Sequence, residues 1–100
     1  MLLRSLALAC AGVLLAALPA AAATTRVNLG DDYFRPGVKT VKKGTRVVWV
    51  NVGDDRHTVT APGYHRVLAP GQRATRRVTK SFRYVCAYHS DMRGRVAVRR

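Results

Sequence analysis

Glutamate is absent from this chain, and aspartate supplies all 5 acids against 18 Lys and Arg. So few acids exclude an acidic exterior. The basic residues are scattered, mostly Arg, and never run longer than two. Such a surface would attract an acidic partner or an anionic membrane surface, or simply keep the chain soluble. Cysteine occurs only at Cys10 and Cys86. No segment holds a sustained helical period, and there is no internal repeat, low-complexity stretch or second domain. These absences leave one small domain without a helical core.

The N-terminal segment reads as separate from that domain. Met1 to Arg4 is a short basic start, Ser5 to Leu18 an apolar run, and Pro19 to Ala23 a small-residue tail. This three-part layout is that of a secretory signal peptide covering residues 1–23, with cleavage after Ala23. An uncleaved membrane anchor is the alternative, since Ser5 to Ala23 is just long enough to span. Periplasmic or secreted localisation is therefore expected, with residues 24–100 as the functional domain. Loss of Arg4 leaves 17 Lys and Arg against 5 Asp, a net +12. Cys86 then stands alone in an oxidising compartment, where no internal disulfide can protect it. It is read as an intermolecular partner, a reactive thiol, a metal ligand or a buried inert side chain.

The domain reads as short strands punctuated by Gly, Pro and Asp. Val27 to Leu29, Val38 to Val41, Thr45 to Asn51, His57 to Thr60, Arg73 to Thr79, Phe82 to Cys86 and Arg95 to Arg99 are the predicted strands. Thr45 to Asn51 is the richest in β-branched and aromatic residues, and Trp49 within it is read as core. Lys42-Lys43-Gly44 is read as a hairpin turn, and Ala61 to Gln72, with two Pro-Gly pairs, as mostly loop. Several short strands at this spacing predict an all-β sandwich or barrel. Alternation places Phe82, Tyr84 and Cys86 on one face and Arg83 on the other.

The chemistry concentrates at the end of the predicted Cys86 strand. Cys86-Ala-Tyr-His89-Ser-Asp-Met92 reads C-x-x-H-x-x-M. With so few His and Met, chance placement of both after a given Cys is about 6 in 10,000, so the pattern calls for a chemical reason. Thiolate and thioether are soft ligands and imidazole suits copper; two His, one Cys and a weak axial Met form a blue-copper ligand set. A second imidazole must come from His57 or His65. His57 sits at a loop-to-strand junction after the strongest strand and is preferred. His65 lies in the Pro/Gly-rich segment and is read as an exposed loop residue.

Tyr33-Phe34-Arg-Pro36, Lys43-Gly44-Thr45-Arg-Val47-Val-Trp49-Val-Asn51, His57-Thr-Val59 and Tyr84 to Gly94 occur in the order in which related segments occur in the cupredoxin family. The chain resembles that family, and its plastocyanin and amicyanin branch in particular. The two-residue spacers of the ligand loop are more similar to amicyanin. The resemblance implies a Greek-key β-sandwich and a type 1 (blue) copper protein that carries single electrons between redox partners. It implies one Cu(I)/Cu(II) ion held by His57, Cys86 and His89 with Met92 axial, His89 being the solvent-facing edge for electrons. A redox protein partner is expected, with no nucleic acid and a monomeric state. The sequence departs from the family's pattern at Lys80, six residues before Cys86, where the family often has Gly.

Around the site, Asn51 and Thr58 are candidates for holding the ligand loops together. Tyr88 is a candidate for the docking surface, and Pro62 and Tyr64 for an apolar patch around His89. Two other functions fit the same residues: a copper-delivery protein without electron transfer, and a basic module that binds anions or membrane surfaces. An enzyme is not expected, because four ligands leave no open position for substrate.

Overall fold

The computed structural model describes residues 22–100, so most of the expected leader, residues 1–21, lies outside the described residues. Nine strands follow one another: β1 (Thr24–Leu29), β2 (Phe34–Arg35), β3 (Val38–Lys42), β4 (Arg46–Asn51), β5 (His57–Ala61), β6 (Tyr64–Leu68), β7 (Arg73–Arg77), β8 (Phe82–Cys86) and β9 (His89–Arg99). They form two sheets, one ordered β2-β1-β4-β7 and one ordered β3-β9-β8-β5-β6. β1 runs parallel to β4 and β3 parallel to β9, while the other pairings are antiparallel. The all-β sandwich expected from the sequence is present.

Alternation along the strands fills the space between the sheets. Val27, Leu29, Val47 and Trp49 point inward from one sheet, and Val59, Tyr84, Met92 and Val96 from the other; each is at most 1% exposed. Trp49 meets Tyr84 edge-on at 5.5 Å between centroids, and Phe34 meets the same ring at 4.7 Å. Burying one such aliphatic or aromatic side chain contributes about 1.5–3 kcal/mol, so this cluster is the main support of a short chain. Arg76 closes one edge by lying over the rings of Tyr64 and Phe82, 4.8 Å from each centroid.

Two local readings change. Lys42-Lys43-Gly44 is not a hairpin turn, because β3 and β4 belong to different sheets. Gly44, at φ 91°, turns the chain across the sandwich, and its N–H donates to Val78 O at 2.7 Å. The Ala61 to Gln72 segment is not mostly loop. Tyr64–Leu68 pairs in full with β5 around a turn at Pro62-Gly63. The Pro-Gly pairs mark the two ends of that strand rather than an irregular segment, so His65 is an exposed strand residue.

Five strands, β1, β4, β5, β8 and β9, place one end of the sandwich at Leu29, Asn51, His57, Cys86 and His89. The β8–β9 pairing breaks there. Val85 stands opposite Arg93, yet the next residue, Cys86, stands opposite His89. Ser90, Asp91 and Met92 are therefore unopposed. This irregularity bends the chain back so that Met92 reaches the core.

Candidate metal centre

His57, Cys86 and His89 converge at that end. One ligand atom from each lies within 4.8 Å of the others. His57 starts β5 after the Gly53-Asp54-Asp55 loop, Cys86 ends β8, and His89 starts β9 after a two-residue turn. Cys86 Sγ is 3.7 Å from His57 Nδ1 and 3.5 Å from His89 Nδ1. Sulfur and nitrogen donors on a shared tetrahedral or trigonal ion, at bond lengths near those of zinc, stand about 3.6–3.8 Å apart. The observed spacing fits one first-row metal ion. The donor chemistry, one thiol and two imidazoles, narrows it toward soft ions such as copper.

Met92 is 1% exposed and borders the same cleft as His89. His57 is 0% and Cys86 2% exposed, whereas His89 is half-buried at the surface. The two imidazole rings are 4.9 Å apart between centroids. His65 takes no part; its Nδ1 bonds the Thr60 hydroxyl at 2.8 Å on the exposed side of β6.

The thiol is prepared to ionise. Burial opposes ionisation, but hydrogen bonds from His89, the amides of Thr58 and Tyr88, and His57 outweigh it and hold the Cys86 thiol at about 6. His89 is raised above the usual imidazole range, first by its hydrogen bond to Cys86, with smaller contributions from Asp32 and Asp55. Thiolate is the form that binds metal.

Neighbouring groups fix the donors. Thr58 N–H donates to Cys86 Sγ at 3.3 Å, and Thr58 Oγ1 accepts Ala87 N–H at 2.7 Å. Thr58 thus ties the His57 strand to the Cys86 loop, as expected. Asn51 acts one step further out. Its Nδ2 donates to Asp55 O and Leu68 O, both at 2.8 Å, and its Oδ1 accepts Gly53 N–H at 2.9 Å. Asn51 shapes the loop that delivers His57 without touching a donor.

Asp31 lies in the bend that follows β1. Its Oδ1 accepts Asp54 N–H at 2.8 Å and Asp55 N–H at 3.2 Å, and lies 3.5 Å from His57 Nε2 without closing an aligned hydrogen bond. The Asp54 and Asp55 amides hold its carboxyl below the usual range. A Cβ on Gly53 would come within 2.3 Å of that oxygen, so the carboxylate occupies space that only glycine leaves. No sequence signal separates Asp31 from Asp32; the distinction is made by the fold.

The expected apolar patch around His89 is not formed by Pro62 and Tyr64. Tyr64 is buried against Trp49, 6.0 Å between centroids, and Pro62 lines a cleft with Arg76 and Arg77 near the other end. Instead Tyr88, 54% exposed, stands beside His89 with Asp32, Ser90 and Asp91. All five aspartates lie at this end: Asp31, Asp32, Asp54 and Asp55 in loops, and Asp91 in the unopposed stretch of β9. Among the described residues none of them pairs with a Lys or Arg; the one ion-pair contact is Asp31 with His57. Exposed basic residues lie along both sheets, among them Arg26, Arg46, Arg77, Arg83 and Arg95, and Arg56 stands next to His57 at this end.

No family model matches the chain, and no curated protein matches it in sequence. Solved structures do match in shape. A purple cupredoxin from Nitrosopumilus maritimus aligns at TM-score 0.65 and 19% identity, over 75% of this chain and 99% of that one. A reduced amicyanin variant aligns at TM-score 0.71 and 21% identity, over 80% of this chain and 86% of that one. A copper-containing nitrite reductase from Thermus scotoductus aligns at TM-score 0.67 and 25% identity, over 83% of this chain but 23% of that one. These likenesses show that the chain has the cupredoxin fold, and its His-Cys-His-Met group is able to bind one copper ion.

Proposed function

We propose that this protein is an exported blue-copper electron carrier in which His57, Cys86, His89 and Met92 hold one copper ion. The observation that carries this reading is the convergence of one thiol and two imidazoles within 4.8 Å at one end of a cupredoxin fold. Copper in such a site supplies one-electron chemistry by cycling between Cu(I) and Cu(II). Cys86 contributes the anionic donor and gives up its proton on binding. His57 and Thr58, both 0% exposed, exclude water from the inner side. Met92 completes the donor set from the core. His89, at the surface, is the edge where a partner approaches closely.

The paired strands on either side of Cys86 and His57 fix the backbone that carries the donors, so little must move when the charge changes. That rigidity suits electron transfer rather than catalysis on a bound substrate. Burial of three of the four donors also weighs against readily exchanged metal cargo. The partner is a redox protein. The aspartates around His89 favour a docking face that is basic where it meets this edge, while the arginines on the sheets suit acidic surfaces elsewhere.

The visible and electron-spin-resonance spectrum of the Cu(II)-loaded protein tests the reading. A strong thiolate-to-copper band lost in Cys86→Ser is expected. An unchanged spectrum in that variant removes the thiolate assignment. Stopped-flow mixing with a redox acceptor separates carrier from delivery protein: rapid electron transfer without copper loss supports the carrier.

A further inference from the structure

The outer face of the five-stranded sheet carries a groove of about 350 Å³ lined by Gly37, Val38, Arg83, Val85, Arg93, Gly94 and Arg95 together with Tyr84. The register explains it. Arg83 on β8 stands opposite Arg95 on β9, and Val85 opposite Arg93. Val38 on β3 flanks Arg95 from the other side. Gly94, between the two β9 arginines, has no side chain because Tyr84 fills its inner side; a Cβ there would come within 2.4 Å of that ring. All three arginines are exposed.

Like charges directly opposite one another across strands are destabilising. Among the described residues no carboxylate pairs with Arg83 or Arg95. Asp91, two residues before Arg93 on the acidic end, makes no ion pair with it, and Arg93 Nε donates to Ser90 O at 3.2 Å. The groove therefore gathers three guanidinium groups on a rigid sheet with their charge uncompensated. Guanidinium forks match the oxygen geometry of tetrahedral oxyanions and bind them through paired hydrogen bonds. A single dianion between Arg83 and Arg95 would turn the repulsion into attraction.

From this we infer that the β3–β9–β8 groove binds a phosphate-type oxyanion through Arg83, Arg93 and Arg95. The site is separate from the donors but near them in sequence: Val85 precedes Cys86 and Arg93 follows Met92. The inference does not depend on the copper reading, because it rests on the outer face alone.

The test is an amide chemical-shift titration of the folded protein with inorganic phosphate at constant ionic strength, with chloride as comparator. Saturable shifts confined to Arg83, Arg93, Gly94 and Arg95 are expected with phosphate and not with chloride. The double variant R83Q/R95Q should weaken binding about tenfold or more, because both ends of the fork are lost. R46Q/R77Q removes the same charge from another directly opposed pair on the other sheet and should change binding less than about twofold, since that pair is outside the groove. R83K/R95K keeps charge without the fork and should bind more weakly than the parent. Phosphatidic acid vesicles, with and without competing inorganic phosphate, tell whether a lipid headgroup is also accepted; phosphate-competed binding extends the inference to that source. Equal shifts with chloride, equal loss in R46Q/R77Q, or vesicle binding that phosphate does not compete would each overturn it.

Discussion

Thr58 binds the Cys86 loop twice: its N–H points to Sγ at 3.3 Å and its hydroxyl takes the N–H of Ala87, the next residue, at 2.7 Å. One residue thus restrains both the sulfur and the backbone that carries it. Because Thr58 directly follows His57, the same contact fixes the distance between thiol and imidazole.

Replacing Thr58 with valine keeps the shape and the backbone N–H but removes the acceptor. Ala87 N–H, on an exposed residue, then loses its part-buried partner, which costs about 0.5–1.5 kcal/mol. The backbone bond to sulfur persists, so the thiolate–copper band should survive. Urea unfolding and the visible spectrum check the two halves. Loss of the band with unchanged stability would reverse the roles assigned here.

Asp31 supports His57 through the loop rather than by a short bond. Asp31→Asn keeps an acceptor for the Asp54 and Asp55 amides but removes the charge facing Nε2, while Asp31→Ala removes both. Loss of such an outer partner lowers metal affinity about 10- to 100-fold. The alanine variant should approach the upper end and the asparagine variant the lower end, as read by competition with a copper chelator. Equal affinities in all three proteins would mean that Asp31 does not position the ring.

The thiol titration has a definite sign. In the metal-free protein Cys86 ionises at about 6, below its ordinary value. An unfolded cysteine ionises at about 8.5. The folded chain therefore gives up its proton first, so this group adds stability above about 8.5 that is lost as pH falls through about 6. His89, raised by the same thiolate, acts in the opposite sense: its contribution is present at low pH and lost as pH rises through its folded value. Thiolate absorbance against pH isolates the cysteine. His89→Asn should move the midpoint upward; no movement would show that His89 does not stabilise the thiolate.

The glycines separate packing from backbone freedom. Gly94→Ala drives a methyl into the Tyr84 ring, which also contacts Trp49 and Phe34. Overpacking of this kind costs about 1–3 kcal/mol or more. Gly37→Ala meets nothing closer than Phe34 O at 3.9 Å and should be nearly neutral. Thermal unfolding of the two variants distinguishes them.

Much of this arrangement could be read from the residues. The inward alternation of Phe82, Tyr84 and Cys86 and the spacing of His89 and Met92 are local patterns, and they carried over into the folded chain. β6 was missed because Pro-Gly pairs dominate its surroundings, while its pairing with β5 is a tertiary fact. Asp31 was missed because its importance comes from a loop 23 residues away, joined to it only by folding. The groove depends on register across β3, β8 and β9, which no single stretch of sequence displays.

Charge sets two ranges against each other. Residues 24–100 carry +12, yet the end of the sandwich around His89 and His57 holds all five aspartates, with Arg56 as a nearby counter-charge. At about 10 mM salt the screening length is about 30 Å, so the positive body governs approach; at about 150 mM it is about 8 Å, and only charges near His89 are felt there. Oxidation of the reduced protein by an anionic complex should therefore slow as salt is added. Oxidation by a cationic complex should speed up, and the cation-to-anion rate ratio should rise. The double variant D32N/D91N should flatten that rise, because it removes two of the charges that remain visible at high salt. A ratio that falls with salt, or one unaffected by these two substitutions, would mean that electrons leave through a different part of the surface than the one His89 marks.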